Sequence, residues 1–234
     1  MVIIVVESKS RSWTRKTTTN QKHERGQKMK ENESWITSVK PIKDDAAISR
    51  LLEELANNKK LGLRNKTIAI VGFNTGMRIS DILNLKVATL FDEDGKMVDS
   101  FRNVDIKTNH TRSNNKAHDV FLTANTKEAL KLYLKKRGNR SQWLFPSSKN
   151  HRKPLSRVQF ASILNQAAAR AGIPDVNTHT LRKTFGYRFY KQSGDIVTLQ
   201  HILNHSSIAV TRHYIGLDDE EMQKKMDRFN DISL

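Results

Sequence analysis

Along most of this chain the apolar residues recur every three or four positions, but from 97 to 122 they alternate, and then the longer period returns. Recurrence near 3.6 residues buries one face of a helix, whereas alternation buries one face of a strand. The segments "MVDSFRNVDIKT" and "AHDVFLT" carry β-branched and aromatic residues on either side of the polar stretch "NHTRSNNK". They are expected to form a hairpin with a long basic loop. The fold class that follows is mainly α with a small antiparallel β-sheet, an α+β chain.

The helices can be placed around that hairpin. "KDDAAISRLLEELANN" (43–58) has an acidic first turn, then Ile48, Leu51, Leu52 and Leu55 at helical spacing. "NKTIAIVGFNTGMR" (65–78) predicts an apolar helix ending in a turn at 74–76, and "ISDILNLK" predicts a second with Ser80 and Asp81 in its first turn. Further helices are expected at 126–137, 156–171 and 178–192, beginning at Thr126, Ser156 and Thr178. Shorter ones are expected at 195–203 and 207–214. A last helix, 218–229, opens on "DDEE" and aligns Met222, Met226 and Phe229 on one stripe. No internal repeat is visible.

Residues 1–40 differ from the rest: after the apolar opening "MVIIVV" they are mostly polar and without periodicity, and residues 1–30 hold eight Lys or Arg against two Glu. Two readings stand. One is a flexible, phosphate-seeking arm ahead of a folded part that begins near Pro41; the other is a translation start at Met29. Over all 234 residues, 41 Lys and Arg face 24 acids, a formal net charge of +17. So large an excess favours a polyanionic partner, most commonly a nucleic acid. Without cysteine, disulfides and cysteine–zinc sites are excluded and a reducing, cytoplasmic setting is expected. No stretch reaches the roughly 18 apolar residues of a membrane span, and "MVIIVV" is too short for an export signal.

Three short motifs carry the chemistry. "HTLRKTFGYRF" (179–189) sets His179 and Arg182 three residues apart, on one face of a helix. "TGMRISD" (75–81) puts Arg78 where a glycine turn gives way to a helix. "LNHSSIAVTRHYI" (203–215) holds His205 and Tyr214 nine residues apart. Two guanidinium forks suit the nonbridging oxygens of a phosphodiester and stay charged at every relevant pH. Imidazoles exchange protons near neutrality, and a phenol that loses its proton can attack phosphorus. Each motif alone has a plainer reading: a solvated basic face, an ordinary helix start, a packing tyrosine.

In order, "TGMRISD", "IKT" within the hairpin, "HTLRKTF" and "LNHSSIAVTRHYI" resemble the tyrosine recombinases, the lambda-integrase-like phage integrases and resolvases, over roughly 42–234. The resemblance implies that family's catalytic-domain fold and a role for each residue. Arg78 and Arg182 would clamp the scissile phosphate. Lys107 would protonate the leaving 5′ oxygen, with Lys116 as runner-up. His179 would assist proton transfer, His205 would donate a hydrogen bond to the phosphate, and Asp81 would orient Arg78 or His179. Tyr214 would be the nucleophile, leaving a 3′-phosphotyrosine. Lys116, Arg112 and Lys183 would contact DNA.

The implied function is site-specific recombination of double-stranded DNA with no metal, ATP or other cofactor. The alternatives are an accessory DNA-binding protein that no longer cuts and a relaxing enzyme of the type IB topoisomerase kind. The implied assembly is a homotetramer on DNA, with helix 218–229 docking on a neighbour. Two departures from the family pattern stand out. Only about 40 residues precede the core, where the family usually has a helical core-binding domain. Asn204 replaces the glycine that commonly precedes the histidine, and Asn tolerates left-handed backbone angles.

Overall fold

A computed structural model describes residues 39–104, 117–138 and 140–228. Lys107, Arg112, Lys116, the arm 1–38 and Phe229 lie outside them. Among the described residues the element order is α1 (Asp45–Ala56), α2 (Gly62–Thr75), α3 (Ile79–Leu83), a 3-10 turn (Val87–Leu90), β1 (Ser100–Asn103), β2 (His118–Phe121), α4 (Ala124–Lys136), α5 (Arg157–Arg170), α6 (Thr178–Ser193), α7 (Ile196–Ile202), α8 (Ile208–Tyr214) and α9 (Leu217–Met226). The mixture is the one the change of period predicts: helices around one small sheet.

Local chemistry accounts for most of the boundaries. Asp44 caps α1 by accepting from the amides of Ala46 and Ala47, and Leu51 and Leu55 turn inward from that helix. Helix α2 is buried nearly all round, and it stops at Gly76, whose φ of 66° is left-handed. Ser156 caps α5 in a reciprocal box with Gln159, and Asn177 and Thr180 do the same for α6. Helix α4 begins two residues before the expected Thr126, because Thr123 is the cap. The Thr126 hydroxyl is instead fully buried, within hydrogen-bond reach of Thr123 and accepting from Asn74.

The strands pair antiparallel with Phe101 opposite Val120 and Ser100 opposite Phe121. Val120 faces the core, and its neighbour Phe121 is 64% exposed, the alternation a one-sided sheet requires.

Two apolar clusters hold the domain. The larger spans α1 to α6 and includes Leu51, Ile68, Ile82, Leu130, Phe145, Phe160 and Leu181. The smaller gathers Tyr187, Leu199, Leu203, Tyr214, Ile215 and Leu217 at the C-terminal end. Helix α6 joins them: Leu181 belongs to the first and Tyr187 to the second. Val39 and Ile42 are already buried, so the fold takes in the chain from just before Pro41. No helix among the described residues is long and apolar enough to cross a membrane.

Gly186 sets how closely the smaller cluster approaches α6. A Cβ there would lie 2.7 Å from Cγ2 of Ile215, a side chain with no exposed surface. Alanine normally favours a helix over glycine by up to about 1 kcal/mol, but overpacking a closed site costs about 1–3 kcal/mol. Gly186→Ala is therefore expected to lower the urea midpoint with an unchanged slope. An unchanged or raised midpoint would mean that Ile215 moves aside freely.

Candidate active site

Helix α6 presents the first half of the site. Its cap, Asn177, accepts from the His179 amide, and the His179 side chain stands exposed one turn before Arg182. Arg182 is only 4% exposed. One of its guanidinium nitrogens donates to the Gly76 carbonyl at 2.7 Å and another to the Leu203 carbonyl at 2.5 Å. The same cation thus fixes the turn that ends α2 and the residue that ends α7. Arg78 lies two residues past Gly76, half-buried at the cap of α3, and Asp81 is buried in that helix's first turn.

The second half is built on the turn between α7 and α8. Asn204 adopts the left-handed φ of 47° expected where a glycine is usual, and it aims His205 inward. His205 Nδ1 lies 3.1 Å from the hydroxyl of Thr211, a fully buried residue whose Oγ1 also lies 3.2 Å from the Ser207 carbonyl. That hydroxyl has one proton to give. If it goes to Ser207, Nδ1 carries a hydrogen and Nε2 is a bare acceptor; if it goes to Nδ1, Nε2–H is a donor. Thr211 therefore fixes the orientation of the ring and couples its tautomer to a single hydroxyl rotation.

The rings of His205 and Tyr214 meet edge to face, with centroids 4.9 Å apart at 74°. Burial, then the guanidinium groups of Arg182 and Arg78, push the His205 imidazole down from 6.5 to about 3. Burial raises the Tyr214 phenol, while Arg182 and Arg78 pull it back down. Both arginines therefore act on the same pair of rings. A neutral imidazole, a buried phenol and two permanent cations form a pocket of positive potential around the Tyr214 oxygen.

Of the residues singled out in the sequence, the fold brings Arg78, Arg182, His205 and Tyr214 together. His179 and Asp81 stand on the same helices as the two arginines, three residues away from each. Lys183, expected to contact DNA, does not lie on the surface. It is 4% exposed, not on a DNA-facing surface; its Nζ donates to the Val39 carbonyl at 2.8 Å and lies 5.2 Å from the centre of the Tyr214 ring. One residue along a helix turns the side chain by about 100°, so the neighbour of an inward arginine need not share its face. Thr211 belongs to the site although the sequence motifs do not single it out. Its signal was its position three residues before Tyr214, on the same side of α8.

Comparison with known proteins gives a consistent result. Residues 44–221 match the family model described as Phage integrase family. The chain is 38% identical over 182 residues to "Probable integrase/recombinase YoeC" of Bacillus subtilis, across 78% of this chain and 92% of that one. It is 26% identical over 184 residues to the tyrosine recombinase XerA of Pyrococcus furiosus, across 78% of this chain and 59% of the other. In fold it resembles the XerH site-specific recombinase, whose crystal structure is bound to palindromic difH substrate as a post-cleavage complex. The TM-score is 0.59 at 22% identity, covering 80% of this chain and 52% of XerH. The chain thus spans little more than half the length of XerA and XerH.

The depressed imidazole makes folding sensitive to acid. Between about 3 and 6.5 the unfolded chain binds a proton at His205 that the native state refuses, so stability rises with pH across that window. The contribution is fully present above the ordinary histidine value and is lost as pH falls below it, by at most about 1.4 kcal/mol per pH unit. Urea unfolding from pH 7 to 4.5 should show a steeper loss for the wild type than for His205→Asn. Parallel curves would place the acid sensitivity elsewhere.

Proposed function

Since the chain belongs to the phage integrase family, we propose that it is a site-specific DNA recombinase that cuts and rejoins double-stranded DNA through a 3′-phosphotyrosine. The observation that carries this reading is the convergence of Arg78 and Arg182 on the His205–Tyr214 pair.

The two guanidinium groups hold the nonbridging oxygens of the scissile phosphate. The Tyr214 oxygen attacks phosphorus as its proton passes to His179; a Tyr–O–P bond forms and the P–O5′ bond breaks. Lys107 delivers a proton to the departing 5′ oxygen. His205 adds a hydrogen bond to the phosphate, and Asp81 orients Arg78 or His179 from its buried position. Charge gathers on phosphorus at the transition state, and pre-organised donors such as these are typically worth about 10²–10³ in rate each. Rejoining is the reverse: a 5′ hydroxyl of the partner strand attacks the phosphotyrosine and frees Tyr214. The bond energy is kept in the intermediate, so the exchange needs no nucleotide, and the arginines supply the charge that a metal provides in other phosphoryl-transfer enzymes.

Exchange between two duplexes requires several copies on DNA, and α9 suits that contact. Leu217 is buried, and Arg212 of α8 pairs with Asp218 at 3.1 Å and Glu221 at 2.7 Å. These contacts anchor the base of the helix on its own domain. Met222 and Met226 are 67% and 60% exposed. The acidic sign of the segment opposes DNA and favours protein, so the methionine face docks on a neighbouring copy in a tetramer.

The nucleophile is tested with a pool of duplexes, nicked so that the cleaved end diffuses away, with randomised sequence around the nick. Wild-type protein is expected to form a covalent protein–DNA band on a denaturing gel. Tyr214→Phe should form none while binding DNA nearly as well. An adduct with Tyr214→Phe would refute the assignment, and none with wild type would favour the accessory DNA-binding reading. On duplexes recovered from that pool, Met226→Asp should reduce strand exchange far more than single-site cleavage. Equal loss of both, or of neither, would mean that α9 acts only within its own chain.

A further inference from the structure

Lys183 is buried in the domain, yet its placement relates to the nucleophile. It lies on α6 next to Arg182, and its Nζ reaches in two directions. On one side it donates to the Val39 carbonyl at 2.8 Å. On the other it sits over the face of Tyr214, 5.2 Å from the ring centre, inside the range where a cation is attracted to an aromatic face.

The surroundings reinforce that bridge. The next residue, Thr184, is fully buried and accepts from the Ile42 amide at 2.9 Å. A Cβ on Gly216, two residues after the tyrosine, would stand 3.9 Å from Pro41. The entering segment 39–42 therefore runs between α6 and the turn that follows Tyr214. Asp219, in the first turn of α9, favours the charged form of Lys183 against the effect of burial.

A lysine that served only to satisfy the Val39 carbonyl would need no aromatic beneath it. One that contacted DNA would not be 4% exposed. We propose that Lys183 is a positioning residue for Tyr214: its ammonium, held by the Val39 carbonyl, fixes the plane of the phenol ring and hence the direction from which the hydroxyl meets phosphorus. The ring has two faces to secure, and His205 meets it only edge to face. Lys183 supplies the contact over the face. By the same bridge, the entry of the chain into the domain is mechanically tied to the nucleophile.

This role rests on the recombinase reading, and its test separates the two. Lys183→Gln keeps an N–H donor for the Val39 carbonyl but removes the charge over the ring, and Lys183→Arg keeps both. Single-turnover cleavage is measured on duplexes recovered from the nicked pool, together with the dissociation constant for the same duplex and the thermal midpoint of each variant. Lys183→Gln is expected to slow cleavage about 5- to 30-fold, the range set by cation–π energies, with the dissociation constant and its salt dependence unchanged. Lys183→Arg should recover most of the rate. The tyrosines number four, so ring-labelled tyrosine gives a second readout that needs no activity. With Tyr214 assigned through Tyr214→Phe, its ring signals should move in Lys183→Gln and return toward wild type in Lys183→Arg. Wild-type cleavage together with unmoved ring signals in Lys183→Gln would overturn the proposal. A loss of affinity that accounts for the loss of rate would also overturn it, showing a DNA contact instead. If wild type itself forms no adduct, the recombinase reading fails, and the ring signals alone decide the contact.

Discussion

The two hydrogen bonds from Arg182 to the carbonyls of Gly76 and Leu203 are the interaction around which the site is arranged. A guanidinium this deeply buried is costly unless its donors are satisfied. Backbone carbonyls at helix ends are well suited to it, because they carry the negative end of the helix dipole and lack partners of their own. In meeting that need, Arg182 fastens the end of α2 to the end of α7. Gly76 lies two residues before Arg78, and Leu203 lies two residues before His205. Arg78 and His205 thus take their positions from a cation that stands beside them in the candidate site. Left-handed residues at Gly76 and Asn204 let both chains turn away immediately after their carbonyls have been used.

The electrostatic consequence follows from the same crowding. Burial is the larger influence and works against charge on both rings, holding the phenol above its ordinary value. Two permanent cations reinforce the loss of the imidazole proton and partly offset the effect on the phenol. On the recombinase reading, an incoming phosphodiester supplies the negative charge that this pocket lacks. It relieves the repulsion felt by His205 and lets the imidazole hold hydrogen where the phosphate needs a donor. Binding of substrate and readiness for reaction then arise from one interaction instead of two.

Fold class and the core of the site were legible in the sequence because each left a periodic or spaced trace. The switch to alternation marked the hairpin, three-residue spacing put His179 and Arg182 on one turn, and the resemblance identified Arg78, His205 and Tyr214. What escaped notice had no side-chain signature. The carbonyls of Gly76 and Leu203 belong to residues whose side chains say nothing about accepting hydrogen bonds. At Lys183 the charge suggests a solvated face, whereas its helical phase turns it toward Val39 and Tyr214. Thr126 looked like a cap, but Thr123 offered the same chemistry three residues earlier and left Thr126 for the interior. The hairpin residues Lys107, Arg112 and Lys116 fall outside the described residues, so the general acid is a proposal from the resemblance.

The division into two apolar clusters has a dynamic consequence. Tyr214 belongs to the smaller one, with Tyr187, Leu199, Leu203, Ile215 and Leu217, and has no share in the larger core. A few side chains bury far less apolar surface than the main core, so this segment opens at a lower free energy than the whole domain unfolds. Its amide protons should exchange with solvent as a separate cooperative unit. The fold thus places the Tyr214 oxygen on the smaller cluster, where it can be covered or uncovered while the scaffold beneath stays intact.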